Sequence, residues 1–325
     1  YLTCYESVLM TILRYQGVTE EARLMGTQAS FVFTPTDFSI SPKFNSVDEE
    51  WSRLYGCQIK TLSAIDADDL HCKLLSRLDA GMPVCLPVDL FSLPHTLHHQ
   101  QLHQHHYVNI FGYDNGRYYM VCPYYRFQGW VEASLIHSGF FSPVVAARGA
   151  VLITLPQFTL PPVAPQNIIT LVEENCRYML NLATPEMLAD MDPQYLGIAG
   201  MQTFARHFQQ LADEPDNGTT HKTSYINLSR HMTTVGHSRY WLHELIQKYQ
   251  PTLLATQATA DLQSQFANVV QSWKAMGTRL GMGVHGDRAE IIQGVAVSLK
   301  KICAQEMRLF NTLLGALPTY EQGTL

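Results

Sequence analysis

The fold of the first half of the chain is indicated by one stretch, HYVNIFGYD at residues 106–114. Its first part is short and apolar with β-branched residues, which predicts a strand over residues 106–111. A turn containing Gly112 follows, and residues 117–121 read as a second strand. The stretch therefore predicts a hairpin whose first strand begins at a histidine.

Helices and further strands are predicted on both sides of this hairpin. Apolar residues at helical spacing predict helices over residues 4–15, 20–26 and 66–80. Short apolar runs predict strands over residues 31–33, 83–88 and 144–155, and residues 34–46 read as a loop. This mixture of elements predicts an α+β domain.

A proline-rich run at residues 156–165 marks a domain boundary. Beyond it the helical period predicts helices over residues 167–182, 197–211, 238–249, 251–280 and 287–314, with a polar loop at 213–223. We therefore predict an α+β domain over residues 1–158, followed by an all-helical domain over residues 159–325. The helical domain is expected to complete an active-site cleft.

Composition excludes several classes of protein. The chain has 325 residues, of which 46% are hydrophobic, enough for two cores. The 22 basic and 28 acidic residues give a net charge of −6 without a basic cluster, so we expect no nucleic-acid partner. No apolar run reaches the roughly 18 residues of a membrane-spanning helix. The seven cysteines are odd in number and lack a C-x-x-C pair, which argues against a disulfide framework and favours the cytoplasm.

Cys4 and His106 are the residues that predict chemistry. Cys4 stands at the start of the first predicted helix, where unpaired N–H groups and the helix dipole favour a thiolate and can hold an oxyanion. His106 opens the hairpin strand and supplies a base from a rigid position. A buried apolar cysteine and a hydrogen-bonded structural histidine are the alternatives.

Histidines are concentrated just before the hairpin, at residues 95, 98, 99, 103, 105 and 106. Imidazole clusters bind Zn²⁺ or Ni²⁺, but this run contains neither cysteine nor an acidic residue. We therefore predict no metal site, and a solvent-exposed loop that borders the cleft. The pattern H-x-V-x-I-x-G favours His106 over His105 as the reactive histidine.

The order of these motifs carries a resemblance. Cys4 on a first helix, followed by H-x-V-x-I-x-G-Y-D and a return strand, resembles the papain-like fold of bacteriocin-processing peptidases. The chain is still more similar to the butirosin-biosynthesis protein H family, on CYESVL at residues 4–9, LDAGMPV at residues 78–84 and the 106–114 stretch. In the second half, Gly197, Arg239 and Trp273 resemble that family's helical C-terminal domain.

The resemblance implies a cysteine acyltransferase of antibiotic and other secondary-metabolite biosynthesis. The family takes an aminoacyl group from the phosphopantetheine thioester of an acyl carrier protein and delivers it to an amine. On this chain Cys4 would carry the acyl group, and His106 would move the protons. The implied partners are an acyl carrier protein and a small-molecule amine, with no metal or other cofactor. The sequence does not indicate the oligomeric state.

One departure from the related folds concerns the third residue of the site. Those folds usually carry an Asp before a Pro on the strand after the histidine, where it orients the imidazole; this chain has Cys122-Pro123. A thiol does not stabilise an imidazolium as a carboxylate does. Asp89, just after the predicted 83–88 strand, is a candidate for orienting His106 or binding a substrate amine, and Asp114 is another. Capping a turn is the structural alternative for Asp89.

Two other functions therefore stay open. The first is a cysteine peptidase or amidase on the same fold, which passes the acyl group to water. The second is a catalytically lapsed protein that binds a carrier protein or ligand without turnover.

Overall fold

The computed structural model describes residues 2–188, 191–213, 219–254, 259–282 and 288–318. Its helices are α1 (Cys4–Tyr15), α2 (Glu21–Met25), α3 (Val47–Tyr55), α4 (Ala67–Asp79), α5 (Ala133–Phe140), α6 (Pro143–Ala146), α7 (Pro165–Met179), α8 (Pro185–Leu188), α9 (Gly197–Asp213), α10 (Thr219–Leu253), α11 (Thr259–Met282) and α12 (Arg288–Ala316). Its strands are β1 (Val32–Thr34), β2 (Ser39–Ser41), β3 (Lys60–Ser63), β4 (Val84–Asp89), β5 (His105–Asp114), β6 (Arg117–Cys122), β7 (Phe127–Glu132) and β8 (Val151–Thr154).

The chain divides into two compact units. The sheet unit comprises Leu2–Glu21 and Asn45–Pro161, and the helical unit comprises Ala22–Phe44 and the chain from Pro162 onward. A single division at residue 158 therefore misplaces Ala22–Phe44, which contains α2 and the β1–β2 hairpin. These residues pack on α9 and α10, and no local sequence period signals a contact with helices so distant along the chain.

The sheet unit is built on a six-stranded antiparallel sheet of order β3-β8-β4-β5-β6-β7. All six residues of β4 are buried, which is expected of a central strand. Alternate side chains of a strand point to opposite faces, so the faces of β5 have different neighbours. Val108 and Ile110 join a core with Leu70 and Leu74 of α4. On the other face, Asn109 Nδ2 donates to the Val8 carbonyl of α1 over 2.9 Å.

Three strands of this sheet differ from the sequence predictions, and one of them, β3 at Lys60–Ser63, was not predicted at all. The predicted strand over residues 144–155 is the short helix α6 followed by β8, because Ser142 caps a turn that Pro143 begins. Strand β7 was not predicted either, because it lies at the edge of the sheet and only one of its residues, Val131, is buried. Its sequence therefore has no apolar run.

The helical unit consists of helices packed around the β1–β2 hairpin. Phe31 stacks on Trp273 with ring centroids 5.9 Å apart, and Phe33 meets Phe204 at 5.3 Å. Helix α10 is continuous from Thr219 to Leu253, so the predicted polar loop at 213–223 is wrong from Thr219 onward. Helices α10 and α11 approach closely at Gly277, where an added Cβ would lie 2.7 Å from Thr233 Oγ1. The mixed α/β first half and the helical second half are thus as predicted.

In the part of the chain that the structure describes, every helix is too short or too polar to cross a membrane.

Candidate active site

The first turn of α1 fixes the position of Cys4. Thr3 is the N-cap: its Oγ1 accepts from Glu6 N over 3.2 Å, and Glu6 Oε2 accepts from Thr3 N over 2.8 Å. This reciprocal capping box makes Cys4 the first residue of the helix. The sequence T-C-Y-E thus places the thiol where backbone N–H groups are unpaired.

The sulfur of Cys4 lies among backbone amides in a half-buried position. Burial raises the pKa of the thiol above its ordinary value, and the nearby carboxylate of Glu6 raises it further. The amides of Tyr107, Tyr5 and Cys4 itself oppose this by donating toward the sulfur. Because burial dominates, the thiol is the resting form at neutral pH. The Tyr107 amide also places Cys4 beside the peptide bond that links His106 to Tyr107.

His106 and Cys122 are in direct contact. The Nε2 atom of His106 lies 3.2 Å from Cys122 Sγ, and both side chains are buried. Burial, together with the neighbouring His95, lowers the pKa of His106 to about 3, and burial raises the pKa of Cys122 to about 11. The amides of Tyr125 and Tyr124 donate toward the Cys122 sulfur. Cys122 therefore touches the imidazole at the position where the related folds usually carry an Asp.

The contact between His106 and Cys122 bears on proton transfer. Both groups are neutral at pH 7, so one of them donates a hydrogen to the other. If Nε2 carries the ring proton and donates to the sulfur, Nδ1 keeps its lone pair and can accept a proton from a nucleophile. In that tautomer the thiol orients the ring as a neutral acceptor.

His105 lies on the other face of β5 from His106. Its ring meets that of Tyr107 with centroids 4.8 Å apart, and Tyr107 in turn meets Tyr5 of α1 at 4.8 Å. Burial lowers the pKa of His105 as well, with a smaller contribution from Arg148. His105 thus lies on the face of β5 on which α1 packs, whereas His106 lies on the opposite face with Cys122. Among the described residues no side-chain hydrogen bond joins Cys4 to either histidine, so variants of both are needed to identify the base.

Asp89 has the structural role. Its Oδ1 accepts from Phe91 N over 3.1 Å and from Gln104 N over 2.9 Å, and its Oδ2 lies 2.7 Å from His103 Nδ1. The side chain is buried, and among the described residues its hydrogen bonds join the two ends of the 90–104 loop. The orienting role considered for Asp89 is therefore not seen: its carboxylate is not bonded to His106. Asp114 is the last residue of β5, at the end of the strand away from His106, and it is exposed.

The histidine-rich loop is held by aromatic contacts. His103 stacks on Phe91 at 4.2 Å, and His99 Nδ1 lies 3.1 Å from the Phe91 carbonyl. In the described ranges, no three His, Cys, Asp or Glu side chains are grouped so as to hold a metal ion. The loop is only partly exposed, because these rings pack on neighbouring aromatic residues.

His95 is a site residue that the sequence did not distinguish from its neighbours. Its ring stacks on Phe127 at 4.1 Å and meets Tyr125, which also meets His106 at 5.1 Å. Both ring nitrogens are buried, and neither has a hydrogen-bond partner among the described residues. Burial lowers the pKa of His95 to about 4. Such an unpaired polar group beside the candidate base is where a substrate would find a hydrogen-bond partner.

The fold and the site together define a class: an α+β protein with a cysteine at a helix N-terminus, against the strand of an antiparallel sheet that begins with two histidines. Residues 3–122 match the model of the family "Butirosin biosynthesis protein H, N-terminal". The matched part of the chain contains Cys4, His106 and Cys122, so the resemblance seen in the sequence is confirmed for these residues. A comparison with curated proteins gives no match.

Proposed function

We propose that the chain is a cysteine acyltransferase with a papain-like catalytic domain. In this proposal Cys4 takes an aminoacyl group from the phosphopantetheine thioester of an acyl carrier protein and passes it to a small-molecule amine. The family's name refers to butirosin biosynthesis, which supports a role in antibiotic biosynthesis. The observation that carries the proposal is the position of the Cys4 sulfur, at the N-terminus of α1 and against the Tyr107 amide of β5, the strand that begins with His105 and His106.

The first half-reaction forms an acyl-cysteine. His106 takes the thiol proton as the Cys4 sulfur attacks the thioester carbonyl, and the new C–S bond forms while the oxygen becomes negative. Amides at the start of α1 stabilise this oxyanion. The carbonyl then reforms, the carrier thiolate leaves, and it takes the proton from His106.

The second half-reaction releases the acyl group to the amine. The amine attacks the acyl-Cys4 carbonyl, His106 accepts its proton, and the C–S bond breaks. The proton returns to the Cys4 sulfur, so the enzyme is regenerated and an amide is formed. Neither step needs a metal or a redox cofactor.

Cys122 is proposed to orient His106 in place of the usual Asp. As an acceptor from Nε2–H it selects the tautomer with Nδ1 free, but it brings no negative charge to stabilise an imidazolium. Proton transfer must then accompany attack rather than precede it, because a stable thiolate–imidazolium pair conflicts with the pKa values of Cys4 and His106.

A second candidate is binding of an acyl carrier or ligand without turnover. The observation that favours it is the neutral resting state of Cys4 and His106, since burial opposes the charged form of both. The two candidates make opposite predictions for the consumption of a thioester.

The test is turnover of a simple aminoacyl thioester. The full chain is incubated with the N-acetylglycyl thioester of N-acetylcysteamine, with and without glucosamine as amine acceptor, and free thiol and amide are measured. An acyltransferase releases at most one equivalent of thiol per chain without the amine and turns over, with amide formation, only when the amine is present, whereas a hydrolase turns over without it. Binding without thiol release in either case supports the second candidate.

Matched variants test which residues act as the nucleophile and the base. Cys4→Ser should remove amide formation, and His106→Ala should lower the rate by about 10²- to 10⁴-fold, the usual contribution of a general base. His105→Ala is the control from the neighbouring position and should retain most of the rate. If His105→Ala is the inactive variant instead, the base lies on the α1 face of β5 and the assignment of His106 is wrong.

A further inference from the structure

A cavity of about 770 Å³ lies in the helical unit, between α9 and α12. This volume is within the range of small-molecule sites. Its residues on α9 include Gln202, Arg206 and Gln210, which are spaced four apart and therefore share one face of the helix. Lys300 and Ala304, also four apart, line it from α12. The cavity thus belongs to one packed pair of helices.

The charge of this cavity has one sign. Arg206 and Lys300 both line it, and its described lining contains no carboxylate. Arg206 Nη2 donates to Thr203 Oγ1 of the preceding turn over 3.0 Å, which holds the guanidinium in place. Neither cation forms an ion pair with a described acidic side chain, although the chain as a whole carries a net charge of −6. Two cations in a concave site attract an anion.

The other residues that line the cavity indicate which groups a ligand would carry besides its anionic group. The carboxamides of Gln202 and Gln210 can donate to and accept from amide or hydroxyl groups. Ala304 presents a small side chain that leaves room beside the helices, and Ile198 supplies an apolar surface. The cavity therefore combines an anion-binding end, neutral polar groups and an apolar wall.

We propose that this cavity binds a small organic anion, with its carboxylate or phosphate on Arg206 and Lys300 and its apolar part against Ile198 and Ala304. The proposal does not depend on acyl transfer at Cys4. Guanidinium and ammonium groups both recognise carboxylate and phosphate oxygens, so the anionic group itself is left to the experiment.

The experiment uses the fluorescent organic anion 8-anilinonaphthalene-1-sulfonate as probe on the full chain. Its fluorescence is titrated with protein, and hexanoate, hexyl phosphate and hexanol are then added as competitors. We expect both anions to displace the probe and hexanol to do so at least about tenfold less well, because a charge-assisted hydrogen bond is worth about that factor or more. The stronger of the two anions identifies the anionic group.

Variants locate the site. Arg206→Gln and Lys300→Gln should each weaken probe binding about tenfold, while Lys301→Gln, which removes the same charge from the next and exposed residue, should not. Ala304→Trp fills the cavity from an exposed position without changing charge and should abolish displaceable binding. Circular dichroism checks that each variant is folded. Equal competition by hexanol, or unchanged binding in both Ala304→Trp and Arg206→Gln, would overturn the proposal.

Discussion

The two units bury polar groups in contrasting ways. In the helical unit, Arg239 and Glu306 are fully buried and joined by a 2.9 Å bond from Nε to Oε1. Trp273 Nε1 also donates to Glu306 over 2.6 Å, and Arg239 Nη1 donates to the Ser30 carbonyl over 2.6 Å. In the sheet unit, the buried His106 is neutral with a sulfur neighbour, and His95 has no described partner at either nitrogen.

This difference separates a structural role from a reactive one. A buried ion pair whose donors are satisfied holds its surroundings in one arrangement and has no capacity left for a ligand. Neutral imidazoles with unused nitrogens keep their capacity to accept or donate a proton. Arg239 and Trp273, which the sequence related to the family's C-terminal domain, therefore stabilise the helical unit, whereas His106 and His95 are the residues that we propose for chemistry.

The largest expected effect is on the ion pair. Arg239→Ala leaves Glu306 buried without its partner and should lower the free energy of unfolding by about 3 to 5 kcal/mol. The measurement is urea denaturation followed by circular dichroism. Replacing both residues, in Arg239→Met with Glu306→Leu, should recover much of the loss. A loss below about 1 kcal/mol in Arg239→Ala would mean that the pair is not structurally important.

The next effect concerns the charge beside His106. Cys122→Asp places a carboxylate there, which should raise the pKa of His106 from about 3 and favour the thiolate of Cys4. We expect iodoacetamide to label Cys4 at least about tenfold faster at pH 7 in this variant. Cys122→Asn is the control, because Asn has the shape of Asp without its charge. In this variant the labelling of Cys4 should stay as slow as in the unmodified chain.

The pH dependence of the unmodified chain follows from the same groups. The pKa of Cys4 is raised above its ordinary value, so the thiolate fraction of Cys4 should increase about tenfold per pH unit from pH 6 to pH 8. The rate at which iodoacetamide labels Cys4 should increase by the same factor. The exposed Cys72, read by peptide mass spectrometry in the same sample, reports general accessibility. Fast labelling of Cys4 at pH 6 would show instead that an ion pair already exists.

The smallest effect is expected at His95. His95→Phe keeps the stacking on Phe127 and removes two buried, unpaired nitrogens, so the free energy of unfolding should rise by about 1 kcal/mol or stay unchanged. His99→Phe, which removes a nitrogen 3.1 Å from the Phe91 carbonyl, is the contrasting variant and should be less stable than the unmodified chain. Destabilisation by His95→Phe would show that its nitrogens are not unpaired.

Local patterns predicted those parts of the fold that local forces determine. Helix α1, strand β6 and the hairpin that β5 forms with this return strand followed from periodicity and turn residues. The motif order put Cys122 at the position of the usual Asp, but it gave neither the contact of Cys122 with His106 nor its distance. The partners of Asp89 and the burial of the His95 ring nitrogens depend on how the 90–104 loop folds back, which no sequence period records. For the same reason Ala22–Phe44 was assigned to the wrong unit.

The central claim is that Cys4 accepts an acyl group, and the most direct test is the site of covalent acylation. The chain is mixed with the N-acetylglycyl thioester of N-acetylcysteamine in the absence of any amine, then acid-quenched and mapped by peptide mass spectrometry. We expect one acyl adduct, on Cys4, that is absent in Cys4→Ser and forms more slowly in His106→Ala. An adduct confined to the exposed Cys72, or no adduct on a folded chain, would contradict it.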